Sequence, residues 1–278
     1  MILLRLLSGL ILSSFIGVAG YRRGTLAFSG VIGAVVVGTL IVGFGGWIWG
    51  LLLVAFFVSS SLLSLFRWRD KLSVGDKFSK GHRRDLGQTL ANGGLGALLA
   101  VVHSLSPHPI LFVAFLGAMA AVNSDTWATE IGVLSRGNPR LVTTGQIVPP
   151  GTSGGITRAG SLAALAGGLF IGLCAALFSA VECLATGQAI SIELLVLLVL
   201  IGGLSGLGGA YFDSLLGATV QRIYYCEACE KETEQVIHQC GSQSRPLRGW
   251  GWLDNDMVNF ISSVVGALLA AGFALWLI

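Results

Sequence analysis

Acidic residues surrounded by apolar sequence are the groups here with chemistry to offer. Asp125 and Glu130 belong to Asn123-Ser124-Asp125-Thr126-Trp127-Ala128-Thr129-Glu130, at the end of an apolar run that begins at Pro109. Asp213 follows in Ala210-Tyr211-Phe212-Asp213-Ser214, and Asp256 opens a last apolar run with Asn259 three positions on. Ionisable groups in membrane-length apolar sequence are expensive and mark functional positions. Carboxylates with Asn123, Ser124, Thr126, Thr129 and Asn259 make an oxygen-rich set that suits a hard cation such as Mg2+. Asp125 and Thr129 share a helix face, whereas Glu130 falls roughly 140° away, so one ion takes both carboxylates only at a helix end or a break. The competing reading is a helix end that is merely solvated, with Asp254 or Asn255 acting as an N-cap before the last run.

Two segments offer groups for an anion. Residues 67–87 are rich in cations, with Lys77, Arg83 and Arg84 among them, and lead into Gln88, Asn92, Gly93 and Gly94. Such a loop either anchors on anionic lipid headgroups or binds phosphate. Farther on, Gly151-Thr152-Ser153-Gly154-Gly155 precedes Arg158 and an apolar run. Bare backbone N–H groups and hydroxyls leading into a helix N-terminus can cradle an anion. The stretch lacks the Gly-Lys-Ser/Thr ending of a Walker A loop, and a Gly/Pro hinge is the alternative. A third polar segment, 221–255, carries Cys226-x2-Cys229 and His238-x-Cys240. Three thiolates and an imidazole compose a tetrahedral structural Zn2+ set; a redox pair or free thiols are the other readings. Cys174 and Cys183 read as inert residues of the apolar interior.

These groups need elements to hold them, and composition says which. The 278 residues are 54% hydrophobic and 11% charged, which excludes an ordinary soluble domain. Apolar runs long enough to cross about 30 Å of hydrocarbon lie at 2–20, 25–44, 46–66, 88–106, 109–130, 158–182, 190–220 and 256–278. They are apolar on every face, which fits helices and not a membrane β-barrel. The expected fold is all-α: a polytopic integral membrane helical bundle of about eight transmembrane helices, one membrane domain over 1–278. The basic loop 67–87 and the Cys/His loop 221–255 are its appendages. The first run has some features of a signal peptide, but its continuation to Tyr21 favours a retained helix. Glycine, 40 of 278 residues, recurs at small-xxx-small spacing that suits close helix packing, and it interrupts the run 190–220.

With eight spans, the connections after the first, third, fifth and seventh carry nearly all the charge. The positive-inside rule makes that side cytoplasmic and puts both termini opposite. Every polar motif then meets on one face, as a cytosolic active site requires.

The motifs as a set resemble the transmembrane protein 19-like family, formerly a domain of unknown function, which includes phytyl-phosphate kinases. The likeness rests on Gly24-x5-Gly30, Gly81-x-Arg83-Arg84-Asp85-x2-Gln88-x3-Asn92-Gly93-Gly94 and Asp125-Thr126-x-Ala128-Thr129-Glu130-x-Gly132. It continues through Gly151 to Gly155, Asp213-Ser214-x2-Gly217-Ala218-Thr219-x-Gln221 and Asn255-Asp256-x2-Asn259. The resemblance implies a membrane kinase of tocopherol biosynthesis. It would carry a phosphoryl group from CTP or another nucleoside triphosphate to an isoprenoid monophosphate, phytyl phosphate first among candidates. An acceptor that is already a phosphate needs no strong base, so catalysis reduces to aligning two polyanions and offsetting their repulsion. Asp125, Glu130, Asp213, Asp256 and Asn259 are then expected to hold Mg2+, with Asn92 assisting. Lys77, Arg83, Arg84 and Arg158 would clamp phosphates, and Gly151, Thr152, Ser153, Gly154 and Gly155 would wrap the donor's. Membrane lipids are expected neighbours and nucleic acid is not. A transporter of a phosphorylated lipid or ion, a nucleotidyltransferase forming a CDP-lipid and a non-catalytic zinc-bearing scaffold are the alternatives.

Overall fold

A backbone crossing hydrocarbon must satisfy its own hydrogen bonds, which for apolar runs means helix. The computed structural model describes residues 2–67, 70, 83–189 and 191–277. Among these, eight long helices form: α1 (Ile2–Arg22), α2 (Phe28–Leu40, prolonged by a π-turn over Ile41–Gly45), α3 (Trp47–Leu65), α4 (Leu86–Leu105), α5 (Pro109–Gly132), α6 (Arg158–Thr186), α7 (Ile192–Thr219) and α8 (Asn255–Leu277). This is the all-α integral membrane bundle the sequence predicts. Seven of the helices are long and apolar enough to cross a membrane. The other, α4, is diluted by Gln88, Thr89, Asn92 and His103, and packs against α2, α5 and α8.

The helix carrying Asp125 is the central one. In α5, 61% of the membrane-length window is buried, against 39% or less in the other six spans. Its enclosure follows from small residues around it. A Cβ on Gly206 would come within 2.8 Å of Gly168 Cα, and one on Gly202 within 2.7 Å of Gly172 Cα, so α6 and α7 meet backbone to backbone. The expectation that glycines interrupt the seventh run is corrected here: α7 is continuous, and its glycines form the contact surface that close helix packing needs.

The connections after α1, α3, α5 and α7 gather at one end of the bundle. Leu26 forms a parallel bridge with Arg84, Ser64 bonds Glu130, and the turn at 151–155 docks on the last turns of α7. Arg222 N donates to Leu253 O. Short antiparallel strands brace this rim: β1 (Arg140–Leu141) with β2 (Gly155–Ile156), and a sheet of order β4-β3-β5 from β3 (Ile223–Cys226), β4 (Lys231–Thr233) and β5 (Arg245–Arg248). The segment read as the Cys/His loop is therefore a small folded unit.

Candidate functional site

Helix geometry brings the acids to one depth. Asp125 stands seven residues from the end of α5 and Asp213 six from the end of α7, which puts each about two helical turns below the rim. Asn92 lies six residues into α4, and Asn259 four into α8. All of them line one cavity, whose empty volume is about 1540 Å3 when the open space at its mouth is included.

Among the described residues, four carboxylates face this cavity: Asp125, Glu130, Asp213 and Glu234. Asp125, Asp213 and Glu234 lie within electrostatic reach of one another, and Ser262 Oγ donates to Asp213 Oδ2 at 3.3 Å. Glu130 serves the opposite wall, where Ser64 Oγ donates to its Oε1 at 2.5 Å and Arg84 is its charge partner. α5 is unbroken, so the two acids of the Asp125–Glu130 segment reach the cavity from different angles at a helix end. Asn123 and Ser124 are buried below it. The Asn123 amide is spent on packing: Nδ2 donates to Gly167 O at 2.9 Å, and Oδ1 accepts from Ser59 at 3.0 Å and Ser60 at 3.3 Å.

Arg84 is the one cation lining the cavity among the described residues. Its backbone is clamped, with Ala27 N donating to Arg84 O and Arg84 N donating to Thr25 O. A Cβ on Gly30 would overlap that same Arg84 carbonyl, so only glycine lets α2 approach. The side chain donates to Ser61 Oγ at 3.1 Å and lies 5.9 Å from the ring centroids of Phe56 and Phe57. Burial lowers its guanidinium from the usual value while the Glu130 charge opposes that shift; a guanidinium starts so high that it stays charged at neutral pH.

The Gly151–Gly155 turn forms another wall. Gly154 has φ +81°, and a Cβ there would sit 2.5 Å from Ala218. Both the left-handed backbone and the close approach call for glycine. Ser153 Oγ donates to Gln221 Oε1 at 2.6 Å, and Gln221 Nε2 donates to Glu234 Oε1 at 2.9 Å. This chain ties the turn to the segment after β4. The N-terminus of α6 is already capped, since Thr157 Oγ1 accepts from Gly160 N at 2.9 Å; what remains for an anion is the turn itself.

Three expected site residues do not line the cavity. Arg83 is exposed and turned toward Gly24, because neighbours in an extended segment point to opposite sides and Arg84 takes the inner one. Arg158 is exposed, off the α6 face that presents Thr157, Gly160, Ser161 and Ala164. On α8 the facing pair is Asn255 and Asn259, leaving Asp256 to the side. Asp254 has the capping role weighed for it, its Oδ1 accepting from Met257 N at 3.1 Å. Lys77 and most of the basic loop lie outside the described residues. The acid that sequence reasoning missed is Glu234. It sits in a polar segment with no long apolar run to flag it, four residues before His238; Gln221, its tether, had stood in the motif around Asp213.

Beside the cavity, one ligand atom each from Cys226, Cys229, His238 and Cys240 lies within 4.8 Å of the others. Cys226 Sγ and Cys240 Sγ are 3.6 Å apart, and His238 Nδ1 is 3.2 Å from Cys240 Sγ. Tetrahedral bonds of about 2.3 Å to sulfur set neighbouring ligands about 3.8 Å apart, so the donor set fits zinc. Hydrogen bonds from Ser242 and then His238 push the Cys240 thiol down to about 6. Cys229 is pushed up to about 11, first by its hydrogen bond with Cys240 and then by desolvation.

Comparison with known proteins places the chain. Residues 11–267 match the family described as "Integral membrane protein DUF92". The chain belongs to that family. The chain is 34% identical to "Protein PGR" of Arabidopsis thaliana over 281 aligned residues, 96% of this chain and 95% of that protein. It is 28% identical to an uncharacterized membrane protein of Methanocaldococcus jannaschii, over 96% and 93% of the two chains. It is also 28% identical to "Protein VTE6, chloroplastic" of Arabidopsis thaliana, over 88% of this chain and 64% of that one. No solved structure matches.

Proposed function

We propose that the rim cavity is a magnesium-dependent kinase site that transfers the terminal phosphoryl group of a nucleoside triphosphate to an isoprenoid monophosphate. One observation carries this reading: Asp125, Glu130, Asp213 and Glu234 share a cavity with a glycine-rich turn and the half-buried Arg84, the one arginine lining it among the described residues. Among the described residues the lining sets four carboxylates against one cation, a balance that would repel a polyphosphate, so a site built this way calls for divalent metal between acids and phosphates. Asp125, Asp213 and Glu234 are the residues to hold it, with Asn259 adding an amide oxygen. Magnesium bound there supplies charge neutralisation and a template for in-line transfer.

The chain's own residues do the rest. The Gly151–Gly155 turn receives the donor's phosphates, and Arg84 holds the acceptor's phosphate, with Glu130 and Ser61 fixing the guanidinium. An oxygen of the acceptor monophosphate attacks the γ-phosphorus. The bond from that phosphorus to the bridging oxygen breaks, and the nucleoside diphosphate leaves with the electron pair, so no proton need be removed. The resemblance to phytyl-phosphate kinases favours phytyl phosphate as acceptor, and CTP remains the leading donor. The rim faces the cytoplasm in this reading, following the excess of Lys and Arg on its loops. A structural zinc in the Cys/His cluster would hold the β3–β4 hairpin that delivers Glu234.

The test is product analysis with purified protein in lipid nanodiscs, magnesium, CTP or ATP, and phytyl monophosphate. The kinase releases nucleoside diphosphate and forms the lipid diphosphate; pyrophosphate release with a CDP-lipid would identify a nucleotidyltransferase instead.

A further inference from the structure

Arg84, Gln88 and Asn92 line two cavities at once. The second runs among α1, α2, α3 and α4, with an empty volume of about 710 Å3 when the open space at its mouth is included. Its walls are apolar, from Leu26 and Phe57 near the rim to Val42 and Gly50 near the far ends of α2 and α3. Phe57, whose ring neighbours Arg84, is seven residues from Gly50, so the cavity runs about two helical turns down α3 beyond the guanidinium. Apart from Ser13, its polar lining residues (Arg84, Gln88, Thr89 and Asn92) lie at and just below its rim end. No carboxylate lines it among the described residues.

A molecule filling both cavities has an anionic head at Arg84 and an apolar, unbranched or methyl-branched tail directed into the membrane. We infer that this cavity seats the isoprenoid chain of the acceptor, and that Ala34 and Val54 on its wall set the chain length accepted. The inference rests on the kinase reading and adds to it the place of the chain. Charge complementarity selects the occupant: Arg84 at the junction, the only cation lining either cavity among the described residues, requires an anionic head that a neutral lipid lacks. Ala34 lies nearer the rim, and Val54 is deeper, since its neighbour Leu53 lies against Gly38, one turn of α2 past Ala34. Each is half-buried and lines the cavity.

Prenyl monophosphates of one to four isoprene units test this as acceptors for the wild type, Val54→Phe and Ala34→Phe in nanodiscs. Val54→Phe is expected to lower kcat/KM for the longest acceptor about tenfold or more relative to the shortest, in line with the discrimination apolar pockets achieve. Ala34→Phe should extend that loss to intermediate lengths. An unchanged length profile in both variants overturns the inference and leaves the chain in bulk lipid; an equal loss at all lengths also overturns it. A second measurement uses wild-type protein alone: photolabelling by a prenyl monophosphate with a diazirine at its tail. Labels on residues lining the α1–α4 cavity, displaced by unlabelled phytyl monophosphate but not by phosphatidylcholine, support the inference. Labels elsewhere, or equal displacement by phosphatidylcholine, overturn it. A wild type that takes the label in this cavity yet forms no diphosphate sinks the kinase reading while the chain site stands.

Discussion

Asp125 and Asp213 carry the proposed chemistry from two adjacent helices, each about two turns below the rim. Replacing either with Asn keeps the shape and removes the charge, and kcat is expected to fall by about 100- to 1000-fold. Glu234→Gln should fall less, because Gln221 still holds the segment, while Arg83→Ala stays within about twofold of wild type because the side chain faces away from the cavity. Steady-state turnover with phytyl monophosphate measures all four. The cysteines give a pH prediction of definite sign. In metal-free protein at pH 7, Cys240, lowered to about 6, is mostly thiolate, and Cys229, raised to about 11, is mostly thiol. Mass spectrometry after brief alkylation should find Cys240 modified before Cys229, and zinc should protect both. Asp125, Glu130, Asp213, Asn92 and the 151–155 turn were legible in the sequence because a charge or a glycine cluster stands out in apolar surroundings. Glu234 was not, since one acid among many in a polar segment carries no contrast, and only the fold of the β3–β4 hairpin brings it to the cavity. The misplacement of Arg83, Arg158 and Asp256 has the same root: spacing names a face, but packing decides which face turns inward.

Among the elements, close backbone approach positions the groups of the proposed site. Gly206 and Gly168 let α7 meet α6, Gly30 lets α2 press on the Arg84 carbonyl, and Gly154 lets the turn settle on α7. Gly206→Leu overpacks a contact with backbone on the other side and should cost about 1–3 kcal/mol, seen as a lower thermal midpoint in detergent. Gly154→Ala adds left-handed strain to its clash and should lower turnover by displacing the Ser153–Gln221–Glu234 chain. The glycine spacing showed that helices pack closely, yet it also suggested an interrupted seventh helix. The structure resolves this in favour of packing, because backbone hydrogen bonds inside a bilayer are too costly to break without a compensating partner. The small sheets at the rim were not legible: strands of two to four residues between Gly, Pro and Ser lack a period long enough to register.

At the scale of the whole molecule, the bundle puts its polar chemistry at one end and an apolar cavity behind it. Helix number and limits followed from span length to within a few residues, because the bilayer sets one length for every crossing. The described ends of the charged connections meet at one rim, and the side of the membrane they share is open to test. Cysteines introduced singly at Thr144 and Gln243 in a background without native thiols should react from the same side of sealed vesicles. The most direct test of the kinase assignment is transfer of label from a γ-phosphate-labelled nucleotide into an organic-extractable product by purified protein given magnesium and phytyl monophosphate. The expected result is a labelled lipid diphosphate formed by the wild type and lost with chelator or with Asp213→Asn. Label that never enters the lipid, or that enters it equally in Asp213→Asn, would contradict the assignment.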